Sequence, residues 1–172
     1  MRFQGVAYRA HNPAWAFAPL SGAGAAVHGG RFNPKGTAAL YLGLTLMTAV
    51  REANQGFAFK IDPCVLCSYD VDCEDIVDLR TDAARAAQGV ALNELGCGWL
   101  ALARAGREPP SWALARRLIA NGAAGLLAPS FAPGAGEEDS NLVLWRWAPG
   151  RPHRVTVDDP SGRLPKSALS WP

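Results

Sequence analysis

The sequence has no apolar run of about 18 residues, the length a membrane-spanning helix needs. Its opening stretch, MRFQGVAYRA, lacks the apolar core of a secretory signal. The expectation is a cytoplasmic protein without membrane contact. Neither sign of charge dominates, since 17 Lys and Arg stand against 15 Asp and Glu. That balance argues against a strong electrostatic grip on nucleic acid, and no direct nucleic-acid partner is expected. No G-x-G-x-x-G joins a strand to a helix, which counts against a dinucleotide site for hydride transfer. Histidine is scarce, with three residues, and neither His11 nor His153 has a context suggesting a catalytic pair. Cysteine is limited to positions 64, 67, 73 and 97. Cys64 and Cys67 form one C-x-x-C with no second pair to complete a zinc site. In CVLCSYDVD, Val65, Cys67, Tyr69 and Val71 alternate with Leu66, Ser68, Asp70 and Asp72, a strand period that puts Cys64 and Cys67 on opposite faces. Reduced structural thiols and no metal are expected.

What is present is a foldable core. Hydrophobic residues make up 49% of 172 positions and six are tryptophans, which excludes a disordered chain and fits one domain over 1–172. Strand patterns at 3–9, 38–43, 57–61 and 65–71, followed by DIVDLR at 75–80, and at 123–130 and 141–147 alternate with helical ones. The helix over 45–55 has Thr45 as N-cap, an apolar stripe of Leu46, Ala49, Val50 and Ala53, and Gly56 past its end. Thr81 caps a helix through Gln88, 90–105 reads as another, and Ser111 opens a third that Asn121 and Gly122 close. The Gly/Ala/Pro-rich stretch 10–37 reads as a long connection of the kind that is often functional. The acidic loop FAPGAGEEDS reads as solvated, and the Pro-rich tail 149–172 as irregular. The fold class is α+β.

HGGRFNPKG, at 28–36, places Arg31 on a loop whose glycines permit close approach of backbone to a ligand. Tyr41 lies on the strand that follows. Glu52 falls at the border of the next helix's apolar stripe, where it can face a cleft, whereas Arg51 points away from the stripe. It also sits near the helix C-terminus, where the macrodipole disfavours a negative charge.

YRA at 8–10, GGRFNPKG at 29–36, ALYLG at 39–43, AVREA at 49–53, GLLAPS at 125–130 and NLVLW at 141–145 occur in this order. As an ordered set, from about residue 6 to 147, they resemble the RES domain, the toxin half of a class of bacterial toxin–antitoxin pairs. The resemblance implies an ADP-ribosyltransferase-like fold of mixed sheets with flanking helices. It also implies NAD+ as substrate, cleaved at the nicotinamide–ribose bond, with a cognate antitoxin as partner. Its motif residues map onto Arg9, Arg31, Tyr41, Glu52 and Ser130, with Asn141 a weaker match. The acceptor of ADP-ribose is not identified: a protein side chain of the host is favoured slightly, with phosphate or water as the other choices.

The residue types suit that chemistry. An arginine offers a planar fork of donors to pyrophosphate oxygens, a job that Arg9 and Arg31 can share. The face of Tyr41 can hold cationic nicotinamide. Glu52 can stabilise an oxocarbenium-like ribose. Ser130 and Asn141 offer polar groups, and His28 can touch phosphate or an acceptor. Two other classes stay open on the sequence: a non-catalytic binding module on the same fold, and a ribonuclease toxin using histidine and glutamate as acid and base.

Overall fold

The computed structural model describes residues 1–54 and 61–170. Seven strands, β1 (Phe3–His11), β2 (Leu40–Gly43), β3 (Val65–Cys73), β4 (Ile76–Asp78), β5 (Gly125–Pro129), β6 (Ser140–Leu144) and β7 (His153–Val157), share one mixed sheet in the order β4-β5-β6-β2-β1-β3-β7. Only β4 and β5 pair in parallel. Around the sheet lie helices α1 (Ala23–His28), α2 (Leu46–Ala53), α3 (Asp82–Ala87), α4 (Leu92–Leu95), α5 (Trp99–Arg104) and α6 (Pro110–Ala120). The expected α+β class is the observed one.

The sheet is two half-sheets that barely meet. β1 pairs with β3 along nine residue pairs, from Phe3 opposite Cys73 to His11 opposite Val65. β2 pairs with β6 along all four of its residues. Between β1 and β2, however, the register holds only Tyr8 opposite Gly43. Beyond that pair the strands part, and a gap opens between Arg9–Ala10 and Tyr41–Leu42. This gap is the origin of the cleft described below.

Each face of the sheet carries its own core. One contains Ala7, Leu40, Leu42, Tyr69, Val71, Leu142 and Leu144; the other contains Phe32, Leu95, Leu114, Leu118, Leu126, Val143 and Trp145. β6 contributes to both, and all five of its residues are buried, because its neighbours cover both faces. Fully burying each such Leu or Val contributes about 1.5–3 kcal/mol.

α2 approaches the sheet backbone to backbone. A Cβ at Gly43 would stand 2.6 Å from the Ala49 amide nitrogen, so only glycine admits the helix at this distance. Thr45 caps α2 as expected, its Oγ1 accepting from the Thr48 N–H at 3.0 Å. The expected stripe is corrected: Thr48 and Ala49 are the buried residues, Val50 is half-buried, and Leu46 and Ala53 are exposed. An eight-residue helix seated on a glycine docks by its smallest side chain and leaves larger ones at the rim.

Other boundaries shift for local reasons. The stretch 10–37 contains α1 and a 3-10 turn at Pro13–Trp15. The helix expected over 90–105 is broken at Gly96–Gly98 into α4 and α5. α6 starts at Pro110, with Ser111 buried inside it rather than capping it. The tail carries β7, whose Val155 enters the core opposite Val71. Gly56 and most of the expected strand 57–61 lie outside the described residues.

His11 ends β1 in the first core. Its Nε2 lies 2.5 Å from the Tyr69 hydroxyl, which itself donates to the Pro19 carbonyl, so the imidazole supplies the N–H between them. Burial, and then the nearby Arg9 charge, push the His11 pKa from 6.5 down to about 4. The fold therefore holds His11 neutral, and its contribution is complete above the unfolded-state value and lost as pH falls toward the folded one. Between pH 6.5 and 4 this one group should remove up to about 3 kcal/mol of stability. Denaturation midpoints measured across that window should fall for the wild type and flatten for His11→Gln, which keeps an N–H for Tyr69 without titrating. A slope unchanged by the substitution would exclude His11 as its source.

Candidate functional site

Glu52 occupies the last turn of α2 and stands where two cavities meet. One, of about 150 Å³, follows the gap between β1 and β2; Tyr8, Ala10, Tyr41, Gly43, Glu52 and Asn141 are among its walls. The other, of about 320 Å³, lies against the glycine loop; Gly30, Arg31, Tyr41, Glu52, Trp99 and Asn141 are among its walls. Tyr41, Glu52 and Asn141 line both. Glu52 Oε1 accepts from the Ser130 hydroxyl at 2.6 Å and from the Asn141 side-chain amide at 2.5 Å. Three segments far apart in sequence, α2, the end of β5 and β6, thus converge on one carboxylate. Ser130 and Asn141 together fix the direction of that carboxylate.

The glycine loop is held rigidly. Asn33 is fully buried; its amide nitrogen donates to the Ala25 and Thr37 carbonyls, both at 2.8 Å. Trp112 and Trp145 donate their indole N–H groups to the carbonyls of Gly30 and Phe32. The Tyr41 hydroxyl accepts from the Phe32 N–H at 2.9 Å and donates to Asn33 Oδ1 at 2.7 Å. A Cβ at Gly30 would come within 2.5 Å of that hydroxyl, so the position must be glycine. Burial raises the Tyr41 pKa well above that of an ordinary tyrosine, which keeps the hydroxyl a neutral donor.

Tyr41 therefore has a second task besides offering its ring to the cleft. Tyr41→Phe strips the partner from a backbone N–H and from Asn33, and should cost about 1–3 kcal/mol of stability. Chemical denaturation reads this directly. A Phe variant as stable as the wild type would show that the loop does not depend on the hydroxyl.

Arg31 projects from this loop into the larger cavity. Its Nη1 donates to the Leu95 carbonyl at 3.1 Å and the Cys97 carbonyl at 2.7 Å, and its guanidinium lies 4.8 Å from the centre of the Phe131 ring. The break between α4 and α5 is what brings those carbonyls to it. No hydrogen bond within the described residues engages its Nε/Nη2 edge, the pair suited to a bidentate contact with an oxyanion. Burial lowers the Arg31 pKa, against the nearby Cys97, Glu52 and Tyr41. An anionic ligand would offset that cost of burial.

Arg9 is also among the residues that line the smaller cavity with Glu52. It alternates with Tyr8 and Ala10 along β1 and sits opposite Cys67, so its side chain belongs to the face of the first core. There it donates to the Ser21 carbonyl at 3.2 Å and, weakly, to that of Pro19, and burial lowers its pKa. His28 ends α1 exposed and lines neither cavity. The cysteines are free thiols. No group of three or more His, Cys, Asp or Glu suited to a metal occurs among the described residues, nor is any helix there long and apolar enough to cross a membrane.

Residues that the sequence did not single out complete the site. Trp99 and Phe131 are aromatic neighbours of Arg31 and its cavity. Asp139 belongs to the acidic loop but is buried, a correction to the solvated reading. Its Oδ1 accepts from the Thr48 hydroxyl at 2.6 Å; its Oδ2 accepts from Arg51 Nη1 at 2.5 Å and from the Gly136 N–H at 2.8 Å. Arg51, off the apolar stripe, is thus tied to the acidic loop. The Thr48 hydroxyl foremost, with Gly136 and Arg51, holds the Asp139 carboxyl below the usual carboxylate range despite burial. A buried aspartate among three donors leaves no trace in local periodicity.

A strand gap lined by aromatics, a rigid glycine loop carrying arginine, and a carboxylate that accepts from Ser130 and Asn141 form one polar cleft. The family model of the RES domain matches residues 6–167, nearly the whole chain and further into the tail than the motif set, and the chain belongs to this family. No curated protein matches it significantly.

Proposed function

We propose that the protein cleaves NAD+ at the nicotinamide–ribose bond and transfers ADP-ribose to an acceptor. The observation that carries this reading is Glu52, a carboxylate held by Ser130 and Asn141 at the meeting point of two cavities, one of which contains Arg31. NAD+ requires both signs of charge in that relation: a cation for the pyrophosphate, and an anion for the sugar carbon that becomes positive as nicotinamide leaves. The Nε/Nη2 edge of Arg31 meets the phosphates. The ring of Tyr41 stacks on nicotinamide while the hydroxyl holds the loop. Departure of neutral nicotinamide breaks the C–N bond, and its electron pair leaves with the base. Glu52 stabilises the resulting oxocarbenium-like ribose until the acceptor's lone pair closes on it.

A histidine-dependent ribonuclease has less support. His11 is buried on the opposite face, His28 is exposed outside the cleft, and His153 lines a separate surface groove. None lines either cavity beside Glu52. A toxin role with a cognate antitoxin rests on family membership together with this chemistry. The leaning remains toward a protein side chain as acceptor, with phosphate and water as alternatives.

The test is incubation of purified protein with NAD+ alone, with phosphate and with lysate, followed by chromatography for nicotinamide and a search for labelled protein. Nicotinamide release in any arm supports cleavage, and the ADP-ribose product names the acceptor. Intact NAD+ in all three arms overturns the proposal. Growth arrest on expression, relieved by a protein encoded beside it that forms a stable complex, would support the toxin role.

A further inference from the structure

Asp139 touches neither cavity, yet every member of the Glu52 cluster is anchored through it. Its side chain takes Thr48 and Arg51 of α2, which places Glu52, the next residue after Arg51, at a fixed rotation and height. Its backbone carbonyl accepts from the Ser130 N–H at 2.8 Å, which fixes the first donor to Glu52. Two residues on, along β6, Asn141 is the second donor. Ser140, between Asp139 and Asn141, receives the Leu44 N–H on its carbonyl at 2.9 Å and so ties the start of α2 to the same strand.

We propose that Asp139 is the positioning residue of this site: it locks α2 to the start of β6 so that Glu52, Ser130 and Asn141 meet in one geometry. The need is geometric. α2 has eight residues, its larger apolar side chains lie at the rim, and its seat on Gly43 is smooth backbone. Packing alone leaves such a helix free to slide or turn by a fraction of a residue. Two hydrogen bonds to a buried carboxylate that is only 1% exposed remove that freedom. A general stabilising role would need no link to Ser130, whereas this aspartate grips the helix with its side chain and the donor segment with its backbone.

The kinetic part of the test rests on the NAD+ reading; a spectroscopic part does not. Asp139→Asn keeps the size and can still accept from Thr48, but it loses the ion pair with Arg51. In nitrogen-15-labelled protein, Glu52→Ala defines where the Asn141 side-chain amide signal goes once its carboxylate partner is gone. Asp139→Asn should move that signal toward the same place. With NAD+, turnover should fall about ten-fold, since small misplacements of reacting groups cost this much or more. KM should change by less than about two-fold, as expected where substrate binding is untouched. Thr48→Val removes the hydroxyl's bond to Asp139, along with its contact to the Thr45 hydroxyl, and should show the same shift, smaller, if Asp139→Asn does not fold; Arg51→Lys should retain most turnover.

A lower melting temperature with the Asn141 signal in its wild-type position would reduce Asp139 to a structural residue and overturn the proposal. Wild-type turnover in folded Asp139→Asn would do the same. If the wild type releases no nicotinamide from NAD+, the activity reading fails, and the Asn141 signal alone decides the positioning role.

Discussion

Glu52→Gln should give a folded protein that still binds NAD+ and releases nicotinamide at least about a hundred-fold more slowly, or about 2.7 kcal/mol of lost stabilisation. The half-buried position tolerates an amide of the same size, and its oxygen can still accept from Ser130 and Asn141. What disappears is the charge. A carboxylate facing a sugar carbon acts most strongly when that carbon is most positive, which is in the transition state. The loss should therefore fall on turnover, with KM nearly unchanged. Calorimetric binding of NAD+ beside single-turnover release of nicotinamide separates the two. Cleavage at the wild-type rate by Glu52→Gln would sink the proposed mechanism.

Helical period set Glu52 at the border of a stripe of which Leu46 and Ala53 turn out exposed, so its selection came from the motif AVREA and family resemblance. Its partners were legible only through family resemblance. Nothing local tells Ser130 and Asn141 to face α2; that follows from β6 lying between β5 and β2, a long-range choice. The same limit explains Arg9. Strand alternation puts its side chain opposite those of Tyr8 and Ala10, but which side holds the cleft depends on where the two half-sheets separate.

The elements themselves were read well where period and caps agree, as for Thr45 before α2 and Thr81 before α3. They were misread where tertiary contacts override local preference. Residues 90–105 carry helix formers on either side of Gly96 and Gly98, which break the run, and the carbonyls beside the break hold Arg31. β7 lies among prolines and glycines and gains its order from pairing with β3. Tyr41 was read for its ring, while the structure shows equal need for its hydroxyl. Asp139 sits beside two exposed glutamates, and composition alone could not separate it from them.

That geometry sharpens the expected behaviour of Arg31. Charge-assisted hydrogen bonds contribute roughly 1.5–3 kcal/mol each, so Arg31→Ala should weaken NAD+ use about ten- to a hundred-fold. Most of this should appear in KM, because pyrophosphate carries the same charge before and during bond cleavage and its contacts act on both states. Arg31→Lys should lie between Ala and the wild type. Arginine serves two masters here: Nη1 is tied to Leu95 and Cys97, and the Nε/Nη2 edge is left for the ligand. A lysine ammonium has no second, coplanar edge; it either keeps the carbonyls or reaches for phosphate, and it stacks less well on Phe131. Steady-state kinetics of the three proteins, with their melting temperatures, give the ordering. Lysine at full activity would mean that charge alone suffices and the fork is irrelevant; alanine at full activity would remove Arg31 from the site and leave the larger cavity without its anion partner.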